Sequence, residues 1–374
     1  MLCRTHGLHC VLPPVVLENI ARNGDDAQRE WATRALSRDH SIRLARVQNS
    51  FATRGTARER RDALVGVAAP RPARVISDAG GREDVRGPIV RREGDEPSGD
   101  VATDQAYDFL GDTFDFFLSV YGRNSIDAGG MPLRGVVHFG EQYPNAFWDG
   151  QRMVFGDGDG EVLGQMTASL DVIGHELGHG VTEHEAGLEY WGQSGALNES
   201  LSDVWGSMVK QYKNHQDAAS ADWLIGSEVW TPTIAGDALR SMKAPGNAYN
   251  DPLVGKDPQP AHMDDYVETV QDNGGVHINS GIPNKAFHLA ATKIGGYAWE
   301  VSGRIWYESL QHPSLRTDSG FADFARLTVG TAQRLHGRDS AEALAVADAW
   351  EDVGVQAEQP GLLAYHHTIA ASAA

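Results

Sequence analysis

Four residues in the middle of the chain have the types and the spacing of a hydrolytic metal centre. His175 and His179 lie four positions apart in the run His-Glu-Leu-Gly-His, so both imidazoles fall on one face of a helix and can bind one ion. Glu176 lies at the edge of that face, where it can reach a metal-bound water without binding the metal. Glu199, on a second predicted helix, supplies a third ligand and leaves one tetrahedral position open. Because catalytic zinc sites keep such a position for water, whereas structural sites are closed, the pattern predicts hydrolytic zinc.

Two helices must hold these residues. The stretch 169–181 is apolar enough to form a buried central helix, with aliphatic residues at Val172, Ile173, Leu177 and Val181. Buried His and Glu side chains need a partner, which a metal ion supplies; the alternative is a helix with a merely polar face. Asp203 lies four positions after Glu199 and therefore on the same face of the second helix. It can accept a hydrogen bond from a ligand histidine and orient that ring, or it is an ordinary exposed acid.

The residues from His175 to Asp203 resemble the thermolysin-like neutral metalloproteases. The resemblance covers residues 101–355, and its further blocks are Asn145–Trp148, Gly156–Gly160 and Asp272–Gly281. The segment Leu12–Ile20 resembles the short propeptide of the protealysin-like branch of that family. The resemblance implies an α+β fold of two domains, with a β-rich N-terminal domain, a mainly helical C-terminal domain and a central zinc-binding helix. The zinc would lie at the floor of the cleft between the two domains.

The resemblance also assigns roles around the metal. Tyr190 and His277 would donate hydrogen bonds to the oxyanion of the tetrahedral intermediate, and Asp272 would hold the His277 imidazole. Asp272 and His277 are five positions apart around Gly274-Gly275, so a turn can bring the carboxylate to the ring. Read without the family, His277 would be a packed or surface histidine and Tyr190 an ordinary aromatic.

Substrate-binding residues follow from the same resemblance. Asn145 and the backbone of Ala146 and Trp148 would hold an extended peptide along a strand edge. Arg240 would contact the carbonyl that follows the cleaved bond. The pocket for the residue after that bond would be formed by six apolar residues, which could equally be plain core residues: Leu163, Met166, Val172, Ile225, Val229 and Leu239. We therefore predict cleavage on the N-terminal side of large hydrophobic residues.

One departure from thermolysin concerns calcium. Thermolysin has a double calcium site built from clustered acids, and the corresponding positions here are Asp171, Lys210, Asp222, Leu224 and Ser227. Because a lysine ammonium would pair with the remaining carboxylates, we expect the double site to be absent. A single calcium ion near Thr231 and Asp237 stays open. The segment Gly156–Gly160 lacks the twelve-residue EF-hand frame and is predicted to be a tight turn at a strand end.

The resemblance implies a proenzyme, and the distribution of charge along the chain suits one. Residues 1–61 hold 11 arginines and 6 acids, a net charge of +5, which leaves −24 for the rest of a chain whose formal net charge is −19. A basic propeptide (1–61) would suit the acidic body as its inhibitor or chaperone. We predict a processing linker and start of the mature chain at 62–100, a β-rich domain at 101–165, a helical domain at 166–355 and a tail at 356–374. Within these, helices are expected at 15–44 and 102–121, and strands at 134–139 and 152–155.

Partners and location follow from the same sequence. The acidity argues against nucleic-acid binding, and no apolar run approaches the about 18 residues of a membrane span. The first twenty residues lack the apolar core of a signal peptide, so we expect secretion by another route, with a cytoplasmic location as the alternative. We expect a monomer that acts on peptides and proteins. Cys3 and Cys10 both lie in the propeptide, where Cys10 either caps the zinc as a thiolate or is an inert thiol.

Three functions compete at this point. The first is a zinc endopeptidase made as a proenzyme and released by cleavage between Arg54 and Arg92. The second is a zinc exopeptidase, which would need a group that recognises a free chain terminus, and no such motif is evident. The third is a catalytically silent metal-binding or host-binding module. The intact set of Glu176, Tyr190 and His277 favours the endopeptidase.

Overall fold

One six-stranded sheet organises the amino-terminal half of the molecule. The computed structural model describes residues 9–50 and 70–357, without the side chains of His9 and of residues 40–50. The strands are β1 (His9–Cys10), β2 (Arg74–Asp78), β3 (Ile89–Arg92), β4 (Leu133–Val137), β5 (Ala146–Trp148) and β6 (Met153–Phe155). Their order across the sheet is β1-β5-β6-β4-β2-β3. The pairs β2–β4 and β4–β6 are parallel and the other three are antiparallel.

Helices dominate the chain after Met166. The helices of the described chain are α1 (Pro14–Asn23), α2 (Asp26–Ser50), α3 (Val101–Tyr121), α4 (Leu170–Glu185), α5 (Gly192–Lys213), α6 (Asp272–Asn279), α7 (Gly281–Ile294), α8 (Ser302–Leu310), α9 (Phe321–His336) and α10 (Ala341–Glu351). Two-residue strands pair as Leu224–Ile225 with Arg240–Ser241 and as Asn250–Asp251 with Gly255–Lys256. The α+β fold predicted from the sequence is confirmed. None of the described helices is both long and apolar enough to span a bilayer.

The predicted helix at 102–121 and the predicted strands at 134–139 and 152–155 match α3, β4 and β6 to within two residues at each end. Helix α3 begins where the Asp100 carboxylate accepts a hydrogen bond from the Thr103 backbone N–H at 2.8 Å. It ends at Gly122, whose left-handed φ of 65° closes the last turn. Leu110, Phe114 and Phe117 on its predicted apolar face are buried.

The propeptide forms two helices where one helical stretch was predicted. Gly24 and Asp25 separate α1 from α2, and the Asp25 carboxylate accepts from the Gln28 backbone N–H at 2.9 Å at the start of α2. Val16, Leu17 and Ile20 of α1 are fully buried. The predicted propeptide also contributes β1 to the main sheet, so it packs as an integral part of the fold.

The segment 62–100, predicted as a processing linker and the start of the mature chain, contains β2 and β3 in its later part, where they are strands of the main sheet. The arginines that suggested an exposed linker are paired. Arg74 bonds Glu93 at 2.6 Å and Arg91 bonds Asp104 at 2.9 Å, while both guanidinium carbons lie 3.7 Å from the centre of the Tyr107 ring. The early part of the predicted linker (62–69) and most of the predicted tail (358–374) lie outside the described residues.

Helices α4 and α5 pack closely enough to need glycine at their contact. A Cβ atom at Gly206 of α5 would lie 2.3 Å from the Asp171 carbonyl oxygen and 3.0 Å from the His175 backbone nitrogen of α4. Backbone cannot yield as a flexible side chain can, so a side chain at position 206 would push the two helices apart. This close approach brings the predicted metal ligands of the two helices within reach of one another.

Gly206→Ala is therefore expected to lower the free energy of unfolding by about 1–3 kcal/mol, the cost of overpacking a filled contact. Denaturation by urea, followed by circular dichroism, measures it. Gly330→Ala is the matched control, because a Cβ atom at that helical position meets no atom within 4 Å. Gly330→Ala should be neutral or slightly stabilising, because alanine favours the helix over glycine, and equal losses in the two variants would show that the α4–α5 contact does not cause the effect.

Candidate metal centre

The three predicted ligands converge at the floor of the cleft. One ligand atom from each of His175, His179 and Glu199 lies within 4.8 Å of the other two, and all three residues are completely buried. The Nε2 atoms of the two histidines are 3.0 Å apart, and Glu199 Oε2 is 3.5 Å from His175 Nε2. Among the His, Cys, Asp and Glu side chains of residues 10–39 and 70–357, this is the only group of three or more that could hold a metal ion.

The other nitrogen of each histidine is held by α5. His175 Nδ1 lies 2.7 Å from Asp203 Oδ1, and His179 Nδ1 lies 2.9 Å from Asn198 Oδ1. When Nδ1 carries the proton and donates it to these oxygens, the Nε2 lone pair of each ring is free to bind a cation. The predicted position of Asp203 behind His175 agrees with this geometry. Asn198 was missed, although its place beside Glu199 in the sequence was an available signal.

Asp203 is buried yet stays ionised. Burial alone would raise the pKa of Asp203, but the Arg240 guanidinium and the bond to His175 outweigh it and hold that pKa well below its usual range. Arg240 donates from Nε to Asp203 Oδ2 at 2.8 Å and from Nη2 to Oδ1 at 2.7 Å, a two-pronged pair. Asn284, which the sequence did not indicate, donates to Asp203 Oδ2 at 2.8 Å.

Glu176 faces the metal centre from α4. Its Oε2 accepts a hydrogen bond from the Trp148 backbone N–H at 3.1 Å, and the residue is fully buried. Burial raises the pKa of Glu176 well above its usual range, and the nearby Cys10 and Glu199 raise it further.

The donor set fits a zinc ion. Within the described chain, Glu176 Oε1 and Glu199 Oε2 are buried oxygens without a hydrogen-bond partner. Burying a carboxylate oxygen without a hydrogen-bond donor costs free energy, so we expect these two oxygens to contact a cation and a water. Two imidazole nitrogens and one carboxylate are the ligands of an open, catalytic zinc site.

A second group of side chains lies beside the ligand Glu199. Tyr190 Oη donates to Glu199 Oε1 and lies 3.3 Å from His277 Nε2. His277 Nδ1 lies 2.6 Å from Asp272 Oδ1, and the His277 backbone N–H donates to Asp272 Oδ2 at 2.8 Å. Burial lowers the pKa of His277, but Asp272 and Glu199 outweigh it and raise that pKa well above its usual range. The turn from Asp272 to Gly275 keeps positive φ angles of 50–80°, which explains the two glycines.

The predicted peptide-binding edge is occupied by the chain's own propeptide. Strand β1 pairs antiparallel with β5, which places His9 opposite Trp148 and Cys10 opposite Phe147. The Leu12 backbone N–H donates to Asn145 Oδ1 at 3.1 Å, and Arg240 Nη1 donates to the Val11 carbonyl at 2.6 Å. Ala146 and Trp148 lie in β5, as the substrate prediction required.

The predicted pocket residues are all buried. Five of them share one apolar cluster with Val11 and Leu12 of the propeptide: Leu163, Met166, Val172, Val229 and Leu239. Ile225 belongs instead to the cluster of the helical domain, although its strand pairs with that of Arg240. The structure therefore brings five of the six pocket residues together.

A propeptide carboxylate that the sequence did not point to also reaches the cleft. Asp39, on α2, is only 2% exposed. It accepts a hydrogen bond from Tyr143 Oη at 2.6 Å and another from Asn145 Nδ2 at 3.2 Å. The Asn145 amide is thus oriented from the propeptide side, with its Oδ1 left for the backbone of Leu12.

Lys210 lies where the acids of the calcium position meet. Its Nζ is 2.7 Å from Asp171 Oδ2 and 3.1 Å from Asp222 Oδ1, and it donates to the Leu224 carbonyl at 2.7 Å. Burial lowers the pKa of Lys210, but the two carboxylates outweigh it and raise that pKa.

The structure places the remaining predicted ligands, Thr231, Asp237 and Cys10, beside backbone carbonyl groups. Thr231 Oγ1 donates to the Glu161 carbonyl at 2.5 Å, and the Asp237 backbone N–H donates to the Ala248 carbonyl at 2.8 Å. Cys10 Sγ is not part of the three-residue metal group; it lies 3.9 Å from the Leu12 carbonyl and packs beside Phe147 and Val154. The carbonyl of Cys10, not its thiol, faces His277, at 2.8 Å from Nε2.

A buried His, His, Glu centre with a glutamate beside it, in a cleft between a sheet and a helical domain, defines a zinc metallopeptidase. Residues 92–183 match the thermolysin metallopeptidase catalytic domain, and residues 186–355 match the thermolysin metallopeptidase alpha-helical domain. The chain belongs to the thermolysin metallopeptidase family.

Two individual proteins and one solved structure are also similar to this chain. The chain is 49% identical over 349 residues to an extracellular metalloprotease of Pectobacterium carotovorum subsp. carotovorum, covering 93% of this chain and 97% of that one. It is 46% identical over 352 residues to protease PrtS of Photorhabdus sp. (strain Az29), covering 93% and 92%. The solved precursor of protealysin from Serratia proteamaculans matches with a TM-score of 0.83 at 50% identity, over 93% of this chain and 99% of that one. The chain is a zinc-dependent endopeptidase of the protealysin branch, made as a proenzyme with its own propeptide.

Proposed function

We propose that the mature enzyme hydrolyses peptide bonds on the N-terminal side of large hydrophobic residues. The observation that carries this proposal is the burial of Val11 and Leu12 in the apolar cluster that also holds five of the predicted pocket residues, with the Val11 carbonyl bonded to Arg240. An apolar pocket of this kind gains free energy from each aliphatic or aromatic group that it removes from water.

In this mechanism His175, His179 and Glu199 hold the zinc. The ion, when bound, polarises the scissile carbonyl and lowers the pKa of a coordinated water. Glu176 Oε1 takes the proton of the attacking water and passes it to the leaving amine, while the Trp148 N–H holds Oε2 in place. Tyr190 and His277 donate to the developing oxyanion, with Asp272 fixing the His277 ring.

Substrate would bind as an added strand on β5. Asn145 and the backbone of Ala146 and Trp148 hold the peptide, and Arg240 donates to the carbonyl after the scissile bond. The contacts that the propeptide makes with Asn145 and Arg240 support this assignment.

Quenched peptides that differ only in the residue after the scissile bond test the proposal. With mature enzyme, Leu or Phe at that position is expected to give kcat/KM at least tenfold above Gly or Asp. Activity should vanish with a zinc chelator and return with zinc. Equal rates for Asp and Leu would overturn the specificity, and chelator-resistant cleavage would overturn the metal mechanism.

We also propose that Lys210 replaces the double calcium site. Its ammonium group neutralises the Asp171 carboxylate and contacts Asp222, as the calcium ions would at the double site of thermolysin. A single calcium ion near Thr231 and Asp237 remains a separate proposal, tested by calcium titration of the mature enzyme. We also propose that the enzyme is secreted, which the extracellular relative from Pectobacterium supports. We further propose a monomer without affinity for nucleic acid.

Lys210→Met is expected to lower the free energy of unfolding by about 2–4 kcal/mol, because it leaves the buried Asp171 carboxylate without its counter-charge. Asp171 keeps two donors, Ser169 Oγ at 2.7 Å and the Gly226 N–H at 3.0 Å, which moderates the loss. Lys213→Met is the control: its pair with Asp112 is solvated, so about 0–1 kcal/mol is expected. In an Asp237→Ala variant, which lacks the separately proposed calcium ligand, thermal unfolding should not respond to calcium, and a calcium-dependent gain in stability there would contradict the replacement.

A further inference from the structure

The propeptide lies in the cleft as an extended strand with a definite direction. Strand β1 runs antiparallel to β5 and adds to the open edge of the sheet. Proteins often bind extended peptides by such strand addition, in which main-chain hydrogen bonds give affinity and side-chain pockets give specificity. The direction and the register of β1 therefore determine which propeptide bond faces the reactive groups.

Three consecutive residues are fixed by three different side chains. The Cys10 carbonyl lies 2.8 Å from His277 Nε2, the Val11 carbonyl accepts from Arg240 Nη1 at 2.6 Å, and the Leu12 N–H donates to Asn145 Oδ1 at 3.1 Å. His277 Nε2 is a donor of the kind that a reacting carbonyl needs, and Tyr190 Oη lies 3.3 Å from it. The carbonyl in contact with His277 is that of Cys10.

The burial of Val11 and the position of Glu176 agree with this register. Val11 follows the Cys10 carbonyl and is fully buried in the apolar cluster that holds Val172 and Leu239. Glu176 is bonded through Oε2 to Trp148, the residue opposite His9, and its Oε1 has no hydrogen-bond partner in the described chain. A base, oxyanion donors and a filled specificity pocket thus surround a single peptide bond.

We propose that Cys10–Val11 occupies the scissile position and that the proenzyme hydrolyses this bond in its own chain. The inference rests on the proposed function of the same site. Water adds its oxygen to the Cys10 carbonyl carbon, the bond to the Val11 nitrogen breaks, and the proton held by Glu176 passes to that nitrogen. The products are a Cys10 carboxylate and a Val11 ammonium group, and no further reactant is needed.

The cut separates two sets of contacts. The bonds of Arg240 and Asn145 lie on the C-terminal side and remain with the main chain, together with α1 and α2. Among the described residues before the cut, His9 and Cys10 keep the pairing of β1 with β5, the contact of the Cys10 carbonyl with His277 and the packing of Cys10 beside Phe147 and Val154. Cleavage therefore separates β1 from α1 and α2, so that β1 can leave the edge of β5 before the rest of the propeptide does.

Intact mass and amino-terminal sequencing test the proposal on the full chain, purified with a chelator and then given zinc. We expect loss of residues 1–10 and a new amino terminus that reads Val-Leu-Pro-Pro. The rate should be first order and independent of protein concentration, and Glu176→Gln should remain uncut. An intact 10–11 bond in zinc-loaded chain would overturn the inference, as would a first cut at a different bond in the segment. If mature enzyme still cleaves a test peptide in either case, the proposed function survives the failure of this inference.

A binding measurement tests the register without turnover. Synthetic peptides of residues 8–20 are titrated calorimetrically into mature enzyme carrying Glu176→Gln. Val11→Asp is expected to weaken binding at least tenfold, whereas Val11→Leu should bind at least as tightly as the natural sequence. Arg22→Lys in a longer peptide of residues 8–23 is the control, because its side chain is 65% exposed and its charge is kept. Affinity that is indifferent to residue 11 would show that Val11 does not fill the pocket.

Discussion

Glu176→Gln is expected to lower kcat/KM of the mature enzyme by about 10²–10⁴-fold, the usual contribution of a positioned general base. The amide keeps the size of the side chain and can still accept the Trp148 N–H, but it cannot take a proton from water. Zinc content should stay the same, since the three ligands are unchanged. Steady-state cleavage of a quenched peptide, with zinc measured on the same sample, gives both quantities.

Glu183→Gln is the matched control for that variant. Glu183 lies on the same helix and contacts the same tryptophan, but through the Trp148 indole N–H at 3.2 Å and away from the metal ligands. Its rate should remain within a few fold of wild type. Similar losses in both variants would mean that the contact between α4 and Trp148, and not proton transfer, accounts for the effect.

Arg240→Leu is expected to lower the free energy of unfolding of the full chain by about 3–5 kcal/mol, because it leaves the buried Asp203 carboxylate without its counter-charge. The pair is almost completely buried and uses both prongs of the guanidinium. Peptide cleavage should fall as well, since the same guanidinium contacts the backbone after the scissile bond. Urea denaturation and quenched-peptide kinetics measure the two losses.

The free energy of unfolding of Arg240→Lys should lie between those of the wild type and Arg240→Leu, because a lysine keeps the charge but not the two-pronged geometry. Arg316→Leu controls for loss of an arginine. Its pair with Asp318 is largely exposed, so about 0–1 kcal/mol is expected. Full stability in Arg240→Leu would show that Asn284 and His175 alone suffice to hold Asp203.

The metal centre could be predicted because the spacing of its residues along the sequence places them on the faces of two helices. His175, Glu176 and His179 occupy adjacent turns of one helix, so their relation depends only on helix geometry. Glu199 and Asp203 add a second helix with the same regularity. Tyr190, His277 and Arg240 were assigned by resemblance, since nothing in their immediate sequence fixes where a turn or a two-residue strand will place them. Their catalytic roles remain predictions until the variants are measured.

The contacts of the propeptide could not be predicted from periodicity. Asp39 and Asn145 are more than one hundred positions apart, and their bond depends on how α2 packs against the sheet. The strands β2 and β3 were hidden because their arginines resemble those of a flexible linker. Only the pairing with Glu93, Asp104 and the Tyr107 ring shows that these charges are compatible with a sheet edge.

The amide of Asn145 joins two distant parts of the propeptide, since Oδ1 accepts from Leu12 while Nδ2 donates to Asp39. As long as the propeptide is covalently continuous with the catalytic chain, its local concentration at the cleft is set by the connecting segment and not by the amount of protein. A cut between residues 50 and 70 turns the same contacts into a complex of two molecules. We therefore expect inhibition in the uncut proenzyme to persist at any dilution, and inhibition in the cut protein to fade as the solution is diluted.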